Sequence, residues 1–157
     1  MYKNEFGLDS VSLRYFNVFG PRQDPASRYA AAIPIFIHRA LKNQPLVIYG
    51  DGEQTRDFIY VSDIVAFNAA AALKKNLNGV FNAAGGNAVS INALARLIID
   101  AVGSTSSIVY EKERPGDIRH SLADTSETVE SLNCRPAYDL EKGLRETIDY
   151  FARIFKG

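Results

Sequence analysis

Short apolar runs, each halted by glycine, alternate along this chain with stretches of helical periodicity, and no other feature narrows the fold so far. Val11 to Phe19 ends at Gly20-Pro21, Leu46 to Tyr49 stops at Gly50-Asp51-Gly52, and Gly79 to Ala84 stops at Gly85-Gly86. In the first run Val11, Leu13 and Tyr15 alternate with Ser12 and Arg14, which predicts a largely buried strand over 11–18. The third predicts another strand over 80–84, and Asp57 to Val61 and Ile108 to Tyr110 are further β-prone stretches. Ile33, Phe36, Ile37, Ala40 and Leu41 keep the spacing of one helix face, with Pro34 in the first turn, where no N–H is needed. Ser62 is placed to cap an alanine-rich helix reaching about Lys75. Ser90 is placed to cap a helix with the stripe Ile91, Leu94, Ala95, Ile98 and Val102. Asp124 and Glu127 have capping-box spacing, and Leu140, Leu144, Ile148, Phe151 and Phe155 mark a last helix. Alternating strands and helices make the class α/β. With neither repeats nor a low-complexity linker, the 157 residues read as one domain over 1–157.

Charge and composition exclude several functions. Formal net charge is zero, which argues against nucleic acid or an anionic membrane surface as partner, since both select a basic excess. No apolar run approaches the ~18 residues of a spanning helix, and Met1 to Ser10 is too polar for a signal peptide. Cys134 is the single cysteine, so no intrachain disulfide can form and a cytoplasmic setting is expected. His38 and His120 stand far apart and give no metal-ligand cluster.

Catalytic patterns are equally sparse. Gly50 and Gly52 lack the third glycine and the following helix of a dinucleotide loop, and Gly85-Gly86 lacks the pattern too. Tyr138 and Lys142 have Y-x-x-x-K spacing, which on a helix would let a cation lower a phenol's pKa. The last helix starts at Leu140, however, leaving Tyr138 outside it as a packing residue. No residue of this chain is therefore assigned as catalytic and none as a metal ligand.

Anion-binding chemistry is better represented. Arg56 follows a turn-rich loop after a strand and could fork onto a phosphate, or pair with Asp57 or Asp63. Arg114 and Asp117 flank Pro115-Gly116, a tight turn that could aim both at one ligand or merely sit in solvent. Asn17 is polar inside an apolar strand, which is costly unless its amide is hydrogen-bonded to a ligand or to the local backbone.

LRYFNVFGPRQDP, PLVIYGDGEQTRDFIYVSDI, VFNAAGG and ERPGDIRHSLADTS, taken together and in this order, resemble the C-terminal half of nucleotide-sugar epimerases of the extended short-chain dehydrogenase/reductase superfamily. The R-P-G-D form is closer to UDP-hexose 4-epimerases than to the 4,6-dehydratases or UDP-glucuronate decarboxylases. The resemblance implies a substrate-binding lobe joined to the last strands of a Rossmann-type parallel sheet. It implies that Asn17 binds the diphosphate side of a UDP-sugar and that Phe16 lies against the nicotinamide of NAD. It implies that Ala31 and Ala32 line the uracil pocket, with the Val47, Ile48 and Tyr49 strand holding the base. Arg56 and Arg114 would clamp the diphosphate, and Asp117 would contact the ribose. Ser121 matches a gate beside the sugar, where a small residue leaves room for N-acetylated hexoses such as UDP-GlcNAc.

Complete members first supply a G-x-x-G-x-x-G loop for NAD, then a Ser/Thr and a Y-x-x-x-K pair, all ahead of the LRYFNV strand. This sequence has none of them. The expectation is therefore a C-terminal part of a UDP-sugar 4-epimerase that neither holds NAD nor catalyses by itself. The alternatives are a stand-alone nucleotide-sugar binding or assembly module, or a fragment of a related NDP-sugar 4,6-dehydratase or decarboxylase. With its central strands missing, the sheet should offer exposed edges, and a homo-oligomer is expected.

Overall fold

The computed structural model describes residues 2–27 and 31–155. Strand β1 (Val11–Tyr15) runs parallel to β5 (Gly79–Ala83), Val11 opposite Gly79 and Tyr15 opposite Ala83. A second sheet joins β2 (Asn17–Phe19) in parallel to β4 (Thr55–Tyr60), with β6 (Ala88–Ser90) antiparallel on the other side of β4. A third pairs β3 (Leu46–Tyr49) in parallel with β7 (Ile108–Glu111). The helices are α1 (Tyr2–Phe6), α2 (Ala32–Leu41), α3 (Val61–Leu73), α4 (Ile91–Val102), α5 (Ser126–Leu132) and α6 (Leu140–Phe155). Among the described residues no helix is long and apolar enough to cross a membrane.

The strand predicted over 11–18 is two strands in two sheets. Phe16 N–H donates to Ala83 O at 3.1 Å, closing the first ladder, and Phe16 O then accepts from Val18 N–H at 2.8 Å. That i to i+2 bond turns the chain and delivers Asn17 to Phe19 to β4. The run predicted over 80–84 pairs over 79–83. Ser62 is exposed and does not cap: β4 passes directly into α3, whose N-cap Tyr60 makes no side-chain cap bond. Ser90 does cap, accepting from Ala93 N–H at 3.1 Å. Asp124 Oδ1 accepts from Ser126 N–H at 2.9 Å, and α5 begins there.

Two apolar clusters fill the interior. α2, α4 and α6 pack through Phe36, Ile37, Leu94, Ile98, Leu144, Ile148 and Phe151 against Leu46 and Ile48 of β3 and Phe19 of β2. Ile59, Ile64, Phe67, Ala83 and Leu132 form the second cluster, against which Leu13, Val18 and Leu77 pack. Gly143 lets α6 lie on this core: a Cβ there would stand 2.7 Å from the Phe19 ring.

Asp57 is the joint between the layers. Its fully buried carboxylate accepts N–H groups from Gly85 (2.8 Å), Gly86 (3.1 Å) and Ala123 (3.1 Å), tying two loops to β4. Burial pushes this carboxyl above the usual range, although the backbone N–H groups pull it down. Gly85 fits because it has no side chain; a Cβ would fall 2.4 Å from Phe58 O.

Candidate functional site

β3 alternates strictly: Leu46 and Ile48 enter the core, and Val47 and Tyr49 face a cavity of about 540 Å³. β2 and β4 contribute Asn17, Arg56 and Phe58 to the same cavity, α2 contributes Ala32 and Arg39, and Ala31 stands at its mouth. The 114–117 turn closes one side with Arg114 and Asp117. Eight of the eleven residues singled out from the sequence therefore meet at one cavity. Three do not. Ile48 has its side chain in the core at 1% exposure, so only its backbone could reach a ligand. Phe16 sits half-buried at the kink between sheets, away from the cavity wall. Ser121, half-buried, donates its N–H to Thr55 O at 3.2 Å, one residue from Arg56 but outside the cavity.

The polar groups are already engaged. Arg56 pairs with neither Asp57 nor Asp63. Its Nη1 donates to Thr55 O (2.8 Å) and Ile118 O (2.5 Å), and its Nη2 pairs with Asp117. The Arg114 guanidinium carbon lies 3.7 Å from the centroid of the Tyr49 ring, within cation–π range. Asn17 Nδ2 donates to Asp57 O at 3.0 Å, which satisfies its donor side. The segment carrying the turn is anchored at both ends, Gly50 N–H to Glu111 O (2.9 Å) and Thr55 N–H to Arg119 O (2.9 Å). Arg119 also forks onto Asp51 at 2.6 and 2.8 Å.

Two polar lining residues were not anticipated. Arg39 follows Ala32 and Ile35 at helical spacing, a signal that places it on the same face of α2; its Nη1 donates to Pro45 O at 2.9 Å. Gln54 gives no such signal. Its Nε2 donates to Tyr49 O at 2.7 Å, while its Oε1, buried against the cavity wall, has no protein partner. A buried carbonyl oxygen without a donor is unfavourable by roughly 1–3 kcal/mol, so a ligand N–H or O–H brought to it would be rewarded.

Neither glycine pair suits a dinucleotide. After β3, Gly50 to Gly52 lead into β4 rather than a helix, and a Cβ on Gly52 would sit 2.1 Å from Asn92 Oδ1. After β5, the Gly85 and Gly86 amides are bound to the Asp57 carboxylate, and β6 follows. Neither pair therefore opens directly into a helix N-terminus, as a pyrophosphate-binding loop does. Tyr138 and Lys142 do not form an acid–base pair: Tyr138 precedes α6, Lys142 Nζ lies 3.9 Å over its ring, and the neighbouring Glu146 pushes the phenol's pKa up.

A parallel two-stranded sheet beside an arginine-lined cavity makes this an α/β protein, and its relatives place it in the extended short-chain dehydrogenase/reductase superfamily. Residues 1–84 match the NAD dependent epimerase/dehydratase family, and the chain belongs to it. A UDP-N-acetylglucosamine 4-epimerase from Methanobrevibacter ruminantium, solved with UDP-N-acetylmuramic acid, is 49% identical, with a TM-score of 0.92 over 98% of this chain and 49% of its own. A UDP-glucose 4-epimerase from Thermotoga maritima, solved with UDP-glucose, is 39% identical, with a TM-score of 0.93 over 98% of this chain and 49% of its own. A UDP-N-acetyl-alpha-D-glucosaminuronate decarboxylase from Bacillus cytotoxicus is 38% identical over 94% of this chain and 48% of its own length. The chain thus spans about half the length of the curated relatives it matches.

Proposed function

We propose that this chain is the nucleotide-sugar-binding half of a UDP-sugar 4-epimerase, and that alone it binds UDP-sugars without converting them. The observation that carries the reading is the meeting of Arg56, Arg114, Asp117 and Tyr49 at one cavity. The arginines answer a diphosphate, which takes charge-assisted bonds. Val47, Tyr49, Ala31 and Ala32 offer the flat, partly apolar wall that a uracil requires, with the Ile48 backbone between them. Asp117 accepts from ribose hydroxyls, and the free carbonyl of Asn17 faces the diphosphate side. The sugar then extends past Arg56 toward Thr55 and Ser121, whose small side chain admits an N-acetyl group. Phe16 marks the side on which a cofactor-bearing half would stand. NAD chemistry needs groups beyond those of this chain, since neither glycine pair fits a dinucleotide.

Calorimetry with UDP, UDP-glucose and UDP-GlcNAc tests the binding, and an assay of the same preparation with NAD tests inactivity. Saturable UDP binding with no interconversion of UDP-glucose and UDP-galactose is expected. Turnover by the purified chain overturns the second half of the proposal. The 38%-identical decarboxylase favours a second reading, in which the lobe serves a uronate rather than a neutral hexose. Tighter binding of a UDP-hexuronate than of UDP-glucose would select it. The edge of β1, unpaired among the described residues, and the exposed Tyr15 and Val80 of the same sheet support self-association.

A further inference from the structure

The contacts of Arg56 point to a gate: we infer that Asp117 holds the anion site shut against simple phosphates and yields to ligands that also carry a ribose. The inference rests on the cavity being a nucleoside diphosphate site. Two main-chain carbonyls, of Thr55 and Ile118, fix the plane of the Arg56 guanidinium through Nη1. Three N–H groups, two on Nη2 and one on Nε, are left for an incoming anion, and Asp117 Oδ1 takes one of those on Nη2. Both side chains lie on the cavity wall and are partly screened from water, at 16% and 32% exposure. An internal carboxylate therefore competes with a ligand phosphate for the open side of Arg56.

Exchange of partners then decides which anions enter. Inorganic pyrophosphate that displaces Asp117 leaves a carboxylate beside it with no donor, and the like charges repel. A nucleoside diphosphate repays the same displacement, because its ribose hydroxyls donate to the freed Asp117. A second contact of the same turn works in the same sense. Arg114 covers the face of Tyr49, so a planar base that takes that face releases the turn at its other end.

The turn is built to move between fixed ends. Glu111 and Arg119 are tied to Gly50 and Thr55 through the backbone. Between them the chain is exposed, Gly116 has φ +81°, and nothing lies within 4 Å of the position its Cβ would take. Opening its 114–117 tip breaks the Arg114–Tyr49 and Arg56–Asp117 contacts, while the Ile118 carbonyl beside the fixed end stays on Arg56.

The test titrates pyrophosphate, uridine and UDP by calorimetry, at constant ionic strength, into the wild-type chain and into Asp117→Asn. Asp117→Ala serves as a second variant, and circular dichroism with a thermal melt confirms that each is folded. Freeing one partly screened charge pair should tighten pyrophosphate binding roughly threefold to tenfold, while uridine and UDP bind more weakly. Arg56→Gln added to Asp117→Asn should erase the gain. Pyrophosphate binding unchanged or weakened in both folded variants overturns the gate. If wild type prefers UDP over pyrophosphate and no gain appears, the gate alone falls. If the gain appears but wild type shows no preference for UDP, Asp117 competes for Arg56 without selecting a ribose, and the gate falls together with the nucleotide reading.

Discussion

Asp57 illustrates how one side chain can fix a site it does not enter. Its carboxylate collects three backbone N–H groups from the loops that follow β5 and precede α5. Asp57→Ala leaves all three without an acceptor inside the protein. Net losses of about 1 kcal/mol per hydrogen bond give ~3 kcal/mol in total, or a fall in Tm on the order of 10 °C. A thermal melt measures it, and a shift under about 2 °C would contradict the role of Asp57 as the joint. Asp57, like Gln54, was illegible in the sequence, where it read only as a possible partner for Arg56. An acidic residue in a β-prone run does not announce that distant loop amides will converge on it. Arg56, Arg114 and Asp117 were legible, because turn-borne charges beside strands have few purposes other than solvation or anion binding.

At the scale of elements, helices were read well and strand breaks poorly. The apolar stripes of α2, α4 and α6 recur at the helical period, and those faces do pack together. The period of two in Val11 to Phe19 continues past Phe16, so alternation could not reveal that 11–15 and 17–19 belong to different sheets. That break is a long-range matter, set by which strands lie alongside. Gly143 is a further element-scale constraint, since α6 approaches Phe19 too closely for a Cβ. Gly143→Ala gains helix propensity but overpacks the ring, with a net destabilisation of about 1–2 kcal/mol; urea unfolding checks it, and a stabilised variant would contradict the close approach. The Asp51–Arg119 fork anchors one end of the 111–119 segment. The Arg119 guanidinium holds the exposed Asp51 carboxyl below its ordinary 3.8, at about 2. A depressed carboxylate contributes stability above its unfolded value and loses it as pH falls through the folded one. The Tm difference between wild type and Asp51→Asn should thus be present above pH ~4, shrink toward pH ~2, and weaken in high salt. A difference independent of pH would contradict the fork.

For the whole molecule, the sheet geometry sets the association behaviour. β1 pairs with β5 along one edge, and its other edge carries no strand among the described residues. Tyr15 on β1 at 50% and Val80 on β5 at 47% exposure leave apolar surface on this sheet. Such an edge invites another strand, and light scattering should find dimers or larger species; a monodisperse monomer across micromolar concentrations contradicts this. The α/β class and the epimerase family were legible because the four motif-bearing segments keep their order along the chain. The sequence could not rank the cavity's own contacts, in which Arg56 is tied to Asp117 and Arg114 to Tyr49 before any ligand arrives. The central claim, that this cavity receives a nucleotide sugar, is tested most directly by an amide NMR titration with UDP-glucose. The account predicts saturable shifts concentrated at Val47 to Tyr49, at Arg56 and across the Arg114, Gly116 and Asp117 amides. Shifts confined to other parts of the chain, or none at saturating ligand, would contradict it.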